Sequence, residues 1–137
     1  MEATRISLSG LDVEWQRMQV IAQNLANMNS TRTGAGEPVR AMRLVSGPDQ
    51  NFAAMLETGA SGVRVLGVEA QGDGLRQLYE PDHPHANADG FVTYPDIDHA
   101  AEMALMIKTS RVYEANLAAF SAAQDMYLRA LDIGRQA

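Results

Sequence analysis

The two ends of this chain carry the same rhythm of apolar residues. Leu8, Leu11, Trp15, Met18, Ala22 and Leu25 recur at alternating spacings of three and four. Met103, Met106, Ser110, Tyr113, Leu117, Phe120, Gln124, Tyr127 and Leu131 repeat the alternation. Such spacing puts one side chain per turn on a single helical seam, the heptad pattern of paired helices. Both seams are terminal, and everything unlike a helix lies between them. The first helix is expected over Thr4–Asn29, capped by Thr4 or Ser7. Gly10 weakens its first turns by about 1 kcal/mol relative to Ala. Asn24, Asn27, Asn29, Ser30, Thr31 and Gly34 mark its end. The second helix is expected over His99–Ile133, entered through Asp96 and Asp98 and closed by Gly134. At about 1.5 Å per residue it is a rod of roughly 50 Å.

That second helix has more apolar surface than one partner can cover. Leu105, Val112, Ala119, Met126 and Ile133 form a second stripe at seven-residue intervals, about 100° from the seam. Ala115, Ala118, Ala122, Ala123 and Ala130 allow close approach from further sides. The first helix is too short to bury all of this. The plain alternative is the buried helix of an ordinary α+β domain, but a rod of that length is hard to wrap with short glycine-rich strands. The excess surface points to the middle segment or to other copies of the chain.

Glycine and proline punctuate the middle. Val63–Ala70 reads as a strand, and Leu75–Tyr79 as its hairpin partner across Gly72-Asp73-Gly74. Phe91–Tyr94 reads as a third strand, Arg40–Val45 as another, and Asn51–Glu57 suits either a strand or a helical turn. The fold class is therefore α+β, with long N- and C-terminal helices forming an α-helical coiled coil and a small β-hairpin-rich middle. Residues 1–31 and 99–137 make the helical domain and residues 32–98 the loop-rich middle.

Composition excludes several functions. The chain has 137 residues, 46% of them hydrophobic, enough for a core. No run reaches the roughly 18 apolar residues that span a bilayer. Met1–Gly10 lacks an apolar stretch suited to a cleaved signal peptide. There is no cysteine, hence no disulfide or thiolate chemistry. The net charge is -6, and the 11 Lys and Arg are scattered, against nucleic acid as a partner. No phosphate-binding loop or paired nucleophile and base is present, so no cofactor is expected. Asp82, His83, His85 and Asp89 are the one cluster with metal-binding chemistry, and they lack a familiar ligand spacing. A compact metal-dependent enzyme built on Asp82, His83 and His85 is one alternative. The plainer reading is a solvated loop held extended by Pro81 and Pro84.

Three strings add a resemblance. Asn24-Leu25-Ala26-Asn27-Met28-Asn29-Ser30-Thr31, with Ser9-Gly10-Leu11 upstream, resembles the end of the N-terminal helix in bacterial flagellar rod and hook proteins. Ser110-Arg111-Val112-Tyr113-Glu114-Ala115-Asn116-Leu117 resembles their C-terminal string. Tyr79-Glu80-Pro81-Asp82-His83-Pro84 with Gly90-Phe91-Val92-Thr93-Tyr94-Pro95 is similar to the middle signature of the C-type proximal rod proteins. The resemblance covers roughly residues 5–31 and 63–135; in residues 32–62, Glu37-Pro38-Val39-Arg40 stands where the family often has an aromatic.

The resemblance implies a non-enzymatic subunit of the flagellar basal body. It would be exported by the flagellar type III apparatus without a cleaved signal and assembled into the rod within the periplasm. Its terminal helices would line the export channel, and the rod would carry torque. The implied partners are other copies, neighbouring rod proteins and the export apparatus or its adaptor. A coiled-coil adaptor unconnected with flagella is a further alternative. The residues expected at subunit interfaces are Leu11, Trp15, Met18, Asn24, Leu25, Asn27 and Asn29 on the first helix. On the second they are Leu105, Arg111, Val112, Tyr113, Glu114, Asn116, Leu117, Phe120, Met126 and Tyr127. Ordinary helix termination also explains the three asparagines, and Arg111 with Glu114 forms an i, i+3 pair whether or not a neighbour is present.

Overall fold

The computed structural model describes residues 2–49, 62–72 and 74–136. Asn51–Glu57 lies outside them. The described chain runs α1 (Glu2–Asn27), β1 (Met42–Pro48), β2 (Val63–Ala70), β3 (Leu75–Tyr79), β4 (Phe91–Pro95) and α2 (His99–Gln136).

Helix α1 is a platform with two working faces. Val13 and Val20, seven residues apart, pack with Leu44 of β1 into a buried cluster that Met42 and Val65 flank. Each such side chain contributes about 1.5–3 kcal/mol when removed from water. Arg17 reaches over the same strand, donating from Nη1 to the Leu44 carbonyl at 3.1 Å and from Nη2 to Ser46 Oγ at 2.8 Å. The other face carries Gly10, Leu11, Ile21 and Asn24, all buried. The helix begins at Glu2, so Thr4 and Ser7 stand inside it rather than at its cap. Ser9 Oγ donates to the Ile6 carbonyl at 2.7 Å and accepts from the Val63 amide at 3.1 Å, pinning β2 to α1.

The strands form two separate antiparallel pairs, β1 with β2 and β3 with β4. This corrects the expected hairpin between Val63–Ala70 and Leu75–Tyr79. The Gln71 amide donates to Ala41 O, extending the β1–β2 ladder, while Gly74 O accepts from the Asp96 amide, extending the β3–β4 ladder. Gly72 (φ +53°) and Gly74 (φ +41°) hold the left-handed backbone that swings the chain from one ladder to the other. A Gly-rich turn signals reversal, and the partner is chosen by the apolar face that must be covered. Leu44 on β1 supplies that face for β2, because β1 already lies on α1. Opposite the step from Val45 to Ser46, β2 advances from Gly67 to Val65, leaving Leu66 as the extra residue of a bulge.

Helix α2 starts where Asp98 Oδ1 accepts from the amides of Ala100 at 2.8 Å and Ala101 at 3.2 Å, as an N-cap aspartate should. Its end differs from expectation: the helix passes through Gly134 and reaches Gln136. No φ there is positive, so Gly134 acts as a helical residue and not as a left-handed stop. The two helices pack antiparallel, since Asn24 touches Glu102 while Gly10 touches Asn116. Along α2 the less exposed positions include Glu102, Met106, Thr109, Tyr113, Asn116, Phe120 and Ala123, alternating by four and three, with Leu105 and Ser110 half-buried beside them. With that register α1 runs out near Gln124, and every residue from Gln124 to Arg135 is exposed, an overhang of about 18 Å at 1.5 Å per residue. Among the described residues no helix is long and apolar enough to cross a membrane.

Candidate assembly interface

The seam read from sequence and the seam in the fold share Met106, Tyr113 and Phe120. They part at the alternate positions, where Glu102, Thr109, Asn116 and Ala123 face inward in place of Met103, Ser110, Leu117 and Gln124. The helix is rotated so that, at these alternate positions, Glu102, Thr109 and Asn116 meet α1 while Met103 and Leu117 face water. Glu102 and Thr109 are 2% and 3% exposed, whereas Leu117 is 47% exposed. Glu102 was missed because it is charged and precedes the seam by one residue. A run of polar residues at seven-residue spacing, Glu102, Thr109 and Asn116, was the available signal.

Three surfaces gather the candidate interface residues. Leu8, Leu11, Asp12 and Trp15 of α1 and Tyr113 of α2 line an open apolar groove of about 600 Å³. Trp15 stands 54% exposed at its rim. On the other side of the helix pair, Glu14, Arg17, Leu105, Lys108, Thr109 and Val112 line a groove of about 340 Å³. The third surface is the overhang, where Met126, Tyr127, Leu128, Leu131 and Ile133 range from 43% to 71% exposed. Arg111 Nη1 donates to Glu114 Oε2 at 3.0 Å with both side chains largely in solvent, where such a pair contributes about 0–1 kcal/mol. Met18, Leu25, Leu105, Tyr113, Asn116 and Phe120 are half-buried.

The asparagines separate. Asn24 is 3% exposed and bonded within the chain: Oδ1 accepts from the Met42 amide, and Nδ2 donates to Met42 O, each at 2.9 Å. Asn27 and Asn29 are exposed, and the Asn27 carbonyl accepts from the Ser30 amide at 2.9 Å in the turn leaving α1.

The histidine loop is a set of tight turns, not the extended segment its prolines suggested. The amides of His83, Ala86 and Gly90 donate to the carbonyls of Glu80, His83 and Asn87. His83 Nδ1 accepts from the His85 amide at 3.0 Å, and His85 Nδ1 shares a 2.6 Å hydrogen bond with Thr31 Oγ1. The imidazoles thus fasten the loop to itself and to the segment after α1. Tyr94 donates to Glu80 Oε2 at 2.9 Å. That bond above all, with desolvation and the Glu80 charge adding and the Arg76 cation opposing, holds the phenol above its ordinary pKa. Among the described residues no group of three His, Cys, Asp or Glu side chains is arranged to hold a metal ion.

The family described as flagellar basal body rod FlgEFG protein C-terminal matches residues 88–133, the run into and along α2. The flagellar basal-body rod protein FlgC of Bacillus subtilis is 34% identical over 95% of each chain. The protein of the same name from Escherichia coli O6:H1 is 35% identical over 95% of this chain and 94% of its own. That of Agrobacterium fabrum is 31% identical over 96% and 92%. Identity at this level across almost the whole of each protein shows that the chain belongs to the flagellar basal-body rod protein FlgC family.

Proposed function

We infer that this protein is a structural subunit of the bacterial flagellar basal-body rod. The observation that carries the reading, beside the family, is the apolar surface left in water on the overhang of α2 and at Trp15 of α1. Contiguous exposed apolar surface of this kind suits a partner protein. The terminal helices, residues 1–31 and 99–137, form the inner layer of a helical assembly, wound as a coiled coil. Residues 32–98 make outer contacts. Leu11, Trp15, Met18, Leu25, Leu105, Val112, Tyr113, Leu117, Phe120, Met126 and Tyr127 supply apolar contact between subunits. Asn27, Asn29, Asn116, Arg111 and Glu114 supply polar contact where helices end or cross, whereas Asn24, expected among them, is buried and bonded to Met42 and Glu102 of its own chain. Contacts between unlike surfaces that do not close into a ring generate an open helical assembly.

In this reading the protein is not an enzyme and takes no cofactor. Its partners are other copies, the adjoining rod proteins and the export apparatus or its adaptor. It reaches the rod, within the periplasm, by type III export without a cleaved signal, and the assembled tube surrounds the export channel and transmits torque. Deleting Met1–Thr31 is the direct test: the truncated protein should fail to enter the rod, and normal incorporation would end the proposal. Hydrogen exchange gives a second: the ends of the isolated chain should exchange fast and become protected on assembly, and slow exchange along both terminal helices of a proven monomer would count against the proposal.

A further inference from the structure

One buried polar cluster ties three elements together at a single point. Glu102, 2% exposed, receives hydrogen bonds on its two carboxylate oxygens. Arg43 Nη2 of β1 donates to Oε1 in an ion pair, and Asn24 Nδ2 of α1 donates to Oε2 at 3.2 Å. Asn24 also brackets Met42, and Arg43 Nη1 donates to Met42 O at 3.2 Å. The start of α2, the end of α1 and the start of β1 are thereby fixed to one another.

The apolar contacts of the helix pair do not define its register by themselves. Met106, Tyr113 and Phe120 lie seven residues apart on α2. A slide of one heptad would therefore bring one large side chain into the place of another. The polar positions Glu102, Thr109 and Asn116 also recur every seven residues, but they are not interchangeable, since only Glu102 is charged. A slide in one direction sets Asn24 against Thr109 and Arg17 against Asn116, and strands Glu102 beyond the end of α1. The opposite slide sets Glu102 against Arg17, which is already committed to Leu44 O and Ser46 Oγ. Only the observed register satisfies Asn24, Arg43 and Glu102 together.

We propose that Asn24, Arg43 and Glu102 form a register lock, positioning residues that select one of several heptad-related alignments of α1 and α2. Glu102 is buried and Arg43 half-buried; an ion pair taken out of water adds little net stability over apolar side chains of similar size, and its best-attested use is the choice of register. The lock determines where the overhang begins: a one-heptad slip moves the end of α2 by about 10 Å relative to α1. These contacts lie within one chain and do not depend on assembly into a rod.

Disulfide trapping in the full-length chain tests it. One cysteine pair, Leu11→Cys with Tyr113→Cys, reports the observed register, since both residues line one groove. A second, Leu11→Cys with Phe120→Cys, reports a slip of one heptad. With the lock intact, mild oxidation should cross-link the first pair at least ten-fold more than the second. In an Asn24→Leu/Arg43→Met/Glu102→Leu background the chain should stay helical and the ratio should fall towards one. A folded triple variant that keeps the ten-fold ratio overturns the proposal. So does a triple variant no more stable than Glu102→Leu alone, because the cluster would then be an ordinary stabilising contact.

Discussion

Gly10 of α1 and Asn116 of α2 meet with no room for a side chain between them: a methyl carbon built on Gly10 would stand 2.9 Å from both the amide nitrogen and the amide oxygen of Asn116. The glycine weakens an isolated helix and permits the close crossing. Gly10→Ala should gain up to about 1 kcal/mol of helix propensity and lose part of it in moving Asn116 aside. Adding Asn116→Ala should relieve that conflict, so the two substitutions together should be more stable than the sum of their separate effects by roughly 0.5–1 kcal/mol. Gly10→Leu cannot be accommodated by one rotamer change and should cost about 1–3 kcal/mol. A double-mutant cycle by urea denaturation measures both; strict additivity would mean that the crossing relaxes freely.

Apolar substitutions should divide into two classes by location. Val13, 2% exposed between α1 and β1, should lose about 2 kcal/mol of stability on change to Ala. Ile133, 71% exposed on the overhang, should change by less than about 0.5 kcal/mol. The rod reading reverses the ranking for assembly, where Ile133→Ala should reduce incorporation more than its stability effect explains. Thermal melts and a count of rod-containing basal bodies would separate the two.

The start of α2 depends on Asp98. Asp98→Ala removes the acceptor for two free amides and should cost about 1 kcal/mol. Asp98→Asn keeps the oxygen and should recover most of that. Circular dichroism together with amide exchange at Ala100 and Ala101 would show the fraying.

Alkali should loosen the β3–β4 pair through Tyr94. Its phenol is held above the ordinary value of 10.0, mainly by donating to Glu80. A raised folded-state pKa gives a stabilising contribution that is complete below the unfolded value and lost as pH climbs through the folded one. Wild type should therefore exceed Tyr94→Phe in melting temperature at pH 8, and the gap should shrink at and above pH 10. A gap that stays constant across that range would remove Tyr94 ionisation as the cause.

The helices were legible because period and length coincide: Leu11 and Phe120 announce their faces by spacing alone. The rotation of α2 was not, because hydrophobicity assigns Leu117 inward and Asn116 outward, and the fold does the reverse. That reversal is physically consistent for a chain whose apolar stripe meets other molecules, since spacing identifies a face without saying who covers it. The strand pairing failed for a related reason. Gly72 and Gly74 mark a turn, but the partners of Val63–Ala70 and Leu75–Tyr79 are chosen by Leu44 and Val92, residues distant in sequence. Arg111 and Glu114 were read correctly as an i, i+3 pair because helical geometry alone brings them together.

The contact between Asn24 and Glu102 spans 78 residues, whereas that between Asn24 and Met42 spans 18. Closing a longer loop costs more chain entropy, though the cost grows slowly with length. A chain that appears N-terminus first can therefore seat β1 on α1 while Glu102 has yet to arrive. Until it does, Arg43 has no buried carboxylate to meet, and the seam of α1 stays open along its length. The fold thus contains a sequence of events as well as a shape. Its first helix is readied early, and its alignment is decided only when the last helix comes.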